Sequence, residues 1–244
     1  MPSSSAGRTC SAGGAVDPAD REAPRHPAAA GVTDADASAR LALHTGGLAY
    51  WVAAVREAFE EAGVLLARDD DGRSPPLVEP TVARRFADHR RAVDVASATL
   101  WDVCGAEGLE LALDQLLYVS HWITPEGAPR RYDTRFFLAA LPEGQEPTHD
   151  DREVVSTVWT APDEALGRAD RGEWELILPT VRNLELLARF ADTATALDAV
   201  ATAQSRTPVA IPETGGQSRV RLADDPPAAD PDDDRPLVPA GGMP

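Results

Sequence analysis

The sequence predicts an α/β domain, and three patterns predict it. Two segments, DTRFFLAAL at 133–141 and EVVSTVWTA at 153–161, are rich in β-branched and aromatic residues and read as strands. Two others, 52–62 and 81–105, carry apolar residues at helical spacing. Strand and helix patterns alternate along the chain, which is the order of an α/β domain.

Taken in order, residues 1–35 are rich in Ser, Gly, Ala, Pro and Asp without periodicity and are expected to be mostly loop. A helical pattern runs from about Asp36 to Ala62, broken at His44-Thr45-Gly46-Gly47. Val64–Ala67 is a short strand candidate, and RDDDGRSPP after it is a turn. Thr81 to about Gly105 reads as one long helix, with Phe86, Val93, Ala96, Leu100 and Val103 at helical spacing. Leu109–Ile123 is apolar and has room for a short helix, a strand, or both. After the two strand segments, Pro162 opens a helix, as proline at an early helical position does. Pro179–Ala203 reads as a further helix, with Leu184, Leu187, Phe190 and Leu197 on it. Beyond Ser205 the chain is rich in Pro and Asp, with SRVRLADD as one strand candidate.

Composition narrows the function. Acidic residues outnumber basic ones by 40 to 23, for a net charge of −17, and every basic residue is arginine. That balance argues against nonspecific binding to nucleic acid or an anionic membrane. It is compatible with a phosphate-bearing substrate if a metal ion supplies local positive charge. No apolar run is long enough to cross a membrane, and the N-terminal residues show no secretory pattern. Cys10 and Cys104 do not form a CxxC, so a reducing cytoplasm is the expected compartment. Oligomeric state is not visible in the sequence.

The stretch 52–62 concentrates the chemistry. On a helix, Val52, Val55, Phe59 and Ala62 fall on one side, and Glu57, Glu60 and Glu61 share an arc of about 100° roughly opposite. Gly63 is placed to end the helix. A solvated acidic face accounts for this pattern, with two costs. Glu57 repels Glu60 and Glu61 one turn on, and acids in the last turns oppose the helix dipole. Carboxylates gathered against both costs suit a hard cation such as Mg²⁺ or Mn²⁺.

Arg56-Glu57-Ala58-Phe59-Glu60-Glu61-Ala62-Gly63-Val64 resembles the second half of the Nudix box, R-E-U-x-E-E-x-G-U, where U is bulky and aliphatic. Ala58 is smaller than usual at its position. The first half, G-x5-E, would place its Gly and Glu at 42 and 48, which here are Ala42 and Leu48. Upstream, GGAVDPAD offers Gly14 and Asp20 at G-x5-D spacing, with 35 residues (21–55) instead of seven between Asp20 and Arg56. A box interrupted in this way is similar to the Nudix subgroup related to peroxisomal and mitochondrial coenzyme A diphosphatases. The segments 121–142, 153–166 and 178–190 follow the same general pattern.

The resemblance implies a Nudix-type α/β/α sandwich with a mixed sheet and additional helices, over residues 13–204 with an insertion of about 21–50. Residues 1–12 are expected to be disordered or an altered N-terminus, and the extension 205–244 to be largely disordered. It implies a metal-dependent hydrolase acting on a small-molecule nucleoside diphosphate derivative, with coenzyme A or an acyl-CoA first among the substrates. Glu57, Glu60 and Glu61 would ligate Mg²⁺ or Mn²⁺ with the carbonyl near Gly14. Glu57 is also the candidate general base, and Arg56 orients the carboxylates. A further acid would come from Asp150, Asp151 or Glu153, which a solvated loop explains equally well.

Among the arginines near YDT, Arg135 and Arg131 are the candidate phosphate contacts, Arg135 foremost because it adjoins Phe136 and Phe137. Solvated strand-end charges are the competing explanation for these and for Arg130. Trp122 and Tyr132 are candidates to stack on a base, with core packing the alternative for each. The family's strands before the glycine pair have no counterpart in MPSSSAGRTCSA, so the sheet is expected to lack its first strands and expose an edge. Two other functions stay open at this point: a truncated, weakly active or inactive Nudix-like binding domain, and an acidic helical interaction protein without a mixed sheet beside the helix.

Overall fold

The structure is a computed structural model that describes residues 15–123, 132–148, 158–202, 209–210 and 220–221. Its centre is helix α2 (Leu48–Ala62), whose Trp51, Val52, Val55 and Phe59 are all at most 1% exposed. The spacing of these side chains turns one stripe of the helix into the core. A shorter helix, α1 (Asp34–Arg40), braces its start. The Asp34 carboxylate accepts hydrogen bonds from the Gly46 and Leu48 N–H groups, and Ser38 Oγ accepts one from Gly47. Gly47 is required there, since a Cβ would lie 2.3 Å from the Ser38 nitrogen.

Three short strands form a mixed sheet. β1 (Ala29–Ala30) runs parallel to β3 (Glu110–Ala112), and β2 (Ala67–Arg68) pairs with β3 antiparallel. A second, antiparallel pair joins β4 (Leu117–Ile123) to β5 (Asp133–Leu138), with an irregularity between Tyr118 and Ser120. This pair is pinned to α2. Trp51 Nε1 donates to the Leu116 carbonyl at 3.2 Å, and its ring meets Phe137 edge-on at 4.9 Å. Cys104, a free thiol whose pKa burial pushes up to about 12, packs in the same core.

Several expectations need correction. Residues 15–35 are not mostly loop: they hold a 3-10 helix, Ala19–Arg25, and β1. Its Asp20 and Ala23 are buried against α2. Val64–Leu66 are buried and precede the strand, which spans only Ala67–Arg68, although the Leu66 carbonyl already accepts from the Ala112 N–H of β3 at 3.0 Å.

The helix expected over 81–105 is two, α3 (Pro80–Asp94) and α4 (Leu100–Glu107). The chain breaks at Ala96, which is exposed with φ of 52°, and restarts at a capping box between Thr99 and Asp102. The helix expected over 179–203 is likewise α6 (Leu178–Leu187) and α7 (Thr193–Thr202). Asp192 restarts it by accepting the Thr195 N–H on its carboxylate.

Pro162 does begin a helix, α5 (Pro162–Asp170). Residues 158–161 form no strand, and the rest of that expected strand, like residues 1–14, lies outside the described residues. β6 (Val209–Ala210) and β7 (Val220–Arg221) pair antiparallel. No helix among the described residues is long and apolar enough to cross a membrane.

Candidate active site

The site is organised around a buried cation. Arg56 projects from α2 with its side chain only 10% exposed, so every donor must find an acceptor within the protein. Its Nε reaches both oxygens of Asp20 at 3.3 Å. Its Nη2 donates to the Ala15 carbonyl at 2.7 Å. Its Nη1 lies 2.8 Å from Glu57 Oε1 and 2.7 Å from Glu60 Oε2.

One guanidinium therefore gathers carboxylates from the 3-10 helix and from two positions on α2. Asp20 is itself held in place, accepting from the Asp17 N–H at 2.8 Å. Trp101 Nε1 anchors the same segment through the Ala19 carbonyl at 2.9 Å.

The electrostatics follow from this burial. Burial raises the Asp20 carboxyl above the ordinary range, with the Asp17 N–H and Arg56 pulling the other way. Burial also raises Glu60, and Arg56 offsets this in part. Burial disfavours the Arg56 cation, but Asp20 first, then Glu60 and Glu57, outweigh it, so the guanidinium pKa rises.

A cleft of about 200 Å³ opens beside this cluster, lined by Arg21, Tyr50, Glu57, Asp133, Arg135 and Phe137 among others. Glu57 on α2 and Arg135 on β5 thus face one space. Arg135 is only 9% exposed. Its guanidinium lies 4.1 Å from the centre of the Tyr50 ring, its Nη1 donates to Asp133 Oδ1 at 2.8 Å, and its buried Nε–H has no acceptor among the described residues. Asp133 also pairs with His121 across the strand pair.

A family model described as the NUDT19 Nudix domain matches residues 8–187. The chain belongs to the Nudix family. Among curated relatives, "Acyl-coenzyme A diphosphatase NUDT19" of Gallus gallus is 33% identical over 159 residues, covering 59% of this chain and 42% of that protein. Its Homo sapiens counterpart is 35% identical over 150 residues, covering 59% and 40%. The chain spans about two-fifths of the length of these relatives. The crystal structure of a NUDIX hydrolase from Alicyclobacillus acidocaldarius matches with a TM-score of 0.57 and 27% identity, over 77% of this chain and 78% of that one. Family membership and the mixed sheet beside α2 dispose of the unrelated helical protein.

The Nudix box residues are therefore found on one helix end, with the displaced Asp20 folded back onto Arg56. Glu61 follows on the same face of α2, half-buried, with its backbone carbonyl accepting from Arg90 at 2.9 Å. Arg56 engages one oxygen of Glu57 and one of Glu60, which leaves each a second oxygen. Such hard, anionic donors fit Mg²⁺ or Mn²⁺ in chemistry. Among the described residues, no three His, Cys, Asp or Glu side chains already close on one point.

Gly14, Arg131, Arg130, Asp150, Asp151 and Glu153 lie outside the described residues. Trp122 packs in the interior at 6% exposure, donating to Ser120 Oγ, so core packing and not base stacking is its place. Tyr132 is 60% exposed. Sequence reasoning missed Arg21 and Tyr50. Tyr50 precedes the box by one and a half turns or so, and only the arrival of β5 beside α2 gives it a partner.

Proposed function

We propose that the chain is a divalent-metal-dependent hydrolase that cleaves the diphosphate of coenzyme A or an acyl-CoA. The products would be a 3′,5′-ADP and a phosphopantetheine. The observation that carries the reading is that Glu57 and Arg135 face one cleft while Arg56 holds Glu57 and Glu60 beside it. The substrate class is drawn from the names of the relatives, acyl-coenzyme A diphosphatases.

In this reading Glu57, Glu60 and Glu61, with the carbonyl near Gly14, hold Mg²⁺ or Mn²⁺. Such an ion, when bound, lowers the pKa of a water and neutralises charge on the diphosphate. Glu57 takes the proton from the attacking water, since it is the box acid that lines the cleft. Arg56 orients Glu57 and Glu60 through charge-assisted contacts. Arg135 and Arg131 bind phosphate oxygens. For Arg135, stacking on Tyr50 and a buried donor without an acceptor among the described residues are the supporting features. The domain is taken as residues 13–204, and the compartment as the cytoplasm.

The test is product release from CoA, acyl-CoA, ADP-ribose and NADH with Mg²⁺, with Mn²⁺ and with EDTA. Metal-dependent release of 3′,5′-ADP from CoA or acyl-CoA, stopped by EDTA, is the expected result. Cleavage of ADP-ribose or NADH alone would reject the CoA assignment. No cleavage of any of them by folded protein would reject the enzyme.

A further inference from the structure

The end of α2 carries its acids where a helix tolerates them least. The macrodipole is negative there, and the last carbonyls have no partner within the helix. In this protein each of those carbonyls is taken from outside. The Glu60 carbonyl accepts from Arg90 Nε at 2.8 Å and the Glu61 carbonyl from Arg90 Nη2 at 2.9 Å. The Ala62 carbonyl accepts from the Thr148 N–H at 2.8 Å. Arg90 Nη1 then donates to the carbonyl and hydroxyl of Thr148, both at 3.1 Å.

One half-buried guanidinium on α3 thus joins the end of α2 to the segment 142–148. That segment is fixed independently. Gln145, 3% exposed, accepts from the Leu65 N–H and donates to the Leu65 carbonyl, each at 2.9 Å, in the manner of a strand neighbour. Gly144 accepts from the Val78 N–H at 3.0 Å. Gly63 completes the fit, because a Cβ on it would lie 2.6 Å from Thr148 Oγ1 and 3.1 Å from Arg90 Nη1.

We infer that Arg90 is a positioning residue for the metal-binding helix end. Its planar fork spans two successive carbonyls, fixing the last turn of α2 and so the directions in which Glu60 and Glu61 present their carboxylates. Its charge lies against the negative end of the dipole and offsets the crowding of acids there. A lysine keeps the charge but cannot span both carbonyls. The inference rests on the reading that Glu60 and Glu61 hold a divalent ion.

The experiment is Mn²⁺ binding to the full chain, followed by electron paramagnetic resonance at a temperature well below each variant's melt. Arg90→Met, Arg90→Lys and Glu61→Gln are compared with wild type, and each melt is recorded. Arg90→Met is expected to weaken Mn²⁺ binding about tenfold or more, as loss of a group that orients a ligand does, and Arg90→Lys to weaken it less. Added guanidinium ion should recover part of the Arg90→Met loss. An Arg90 that served stability alone would lower the melt and leave Mn²⁺ affinity untouched.

Affinity within about twofold of wild type in both Arg90 variants, well short of the usual loss, overturns the inference if Glu61→Gln binds more weakly. If Glu61→Gln also binds as wild type does, the metal assignment falls and this inference with it. Should Arg90→Met fail to fold, Arg90→Lys decides the matter on the same criterion.

Discussion

Among single residues, Arg56 and its neighbours hold the site together. Asp20 and Arg56 are 2% and 8% exposed, so removing one leaves the other charged in a place with little water. Asp20→Ala is expected to cost about 3–5 kcal/mol in urea denaturation. A cost of a few tenths, typical of a surface pair, would mean that Asp20 does not hold Arg56. Tyr50 has a different task, supporting Arg135 from one side. Tyr50→Leu is expected to raise the KM for CoA by an amount near 1 kcal/mol, about what a guanidinium gains on an aromatic face, with kcat little changed. Tyr50→Phe keeps the face and should keep the KM. Equal KM values in both variants would remove the platform from substrate binding.

At the scale of elements, α2 ends by a demand on the backbone that only glycine meets cheaply. Gly63 has φ of +64° and no space for a Cβ. Gly63→Ala is expected to destabilise by more than about 1 kcal/mol, the strain of a positive φ added to the clash, in a thermal melt. A melt equal to wild type would contradict the tight closure of α2, α3 and segment 142–148.

Charged side chains join α3 to α4 beside the apolar core. Hydrogen bonds from Arg85, then His89, hold the Glu107 carboxyl below the usual glutamate range. A depressed pKa means that this contribution is complete above the unfolded glutamate's value of about 4.3 and is lost as pH falls through the lower folded value. Wild type and Glu107→Gln should therefore differ in melting temperature at neutral pH and converge in acid. A gap that persists unchanged into acid would assign the difference to packing.

At the scale of the whole molecule, what was legible in the sequence was whatever is local. The apolar spacing of Val52, Val55 and Phe59 announced α2, and the spacing of Arg56, Glu57, Glu60, Glu61 and Gly63 announced the family. Asp20 was legible only as a displaced motif position, and the fold closes it onto Arg56 across 36 residues of sequence. Apolar spacing that continued through Ala96 and Phe190 hid two helix breaks, because the signals that restart the helices, Thr99 with Asp102 and Asp192 with Thr195, are polar. Tyr50, Arg21 and Arg90 were illegible for a deeper reason. Tyr50 and Arg90 act through contacts between elements distant in sequence, Arg21 reaches the cleft only because the 3-10 helix folds onto α2, and no local pattern distinguishes the three from solvated side chains.

The proposed function places metal-dependent diphosphate cleavage on the acids at the end of α2. The most direct test is Mg²⁺-dependent turnover of CoA by Glu61→Gln beside wild type, with circular dichroism on both. Turnover is expected to be lost while the helical signal and melt are retained. Turnover unchanged in the folded variant would contradict it and remove Glu61 from the chemistry.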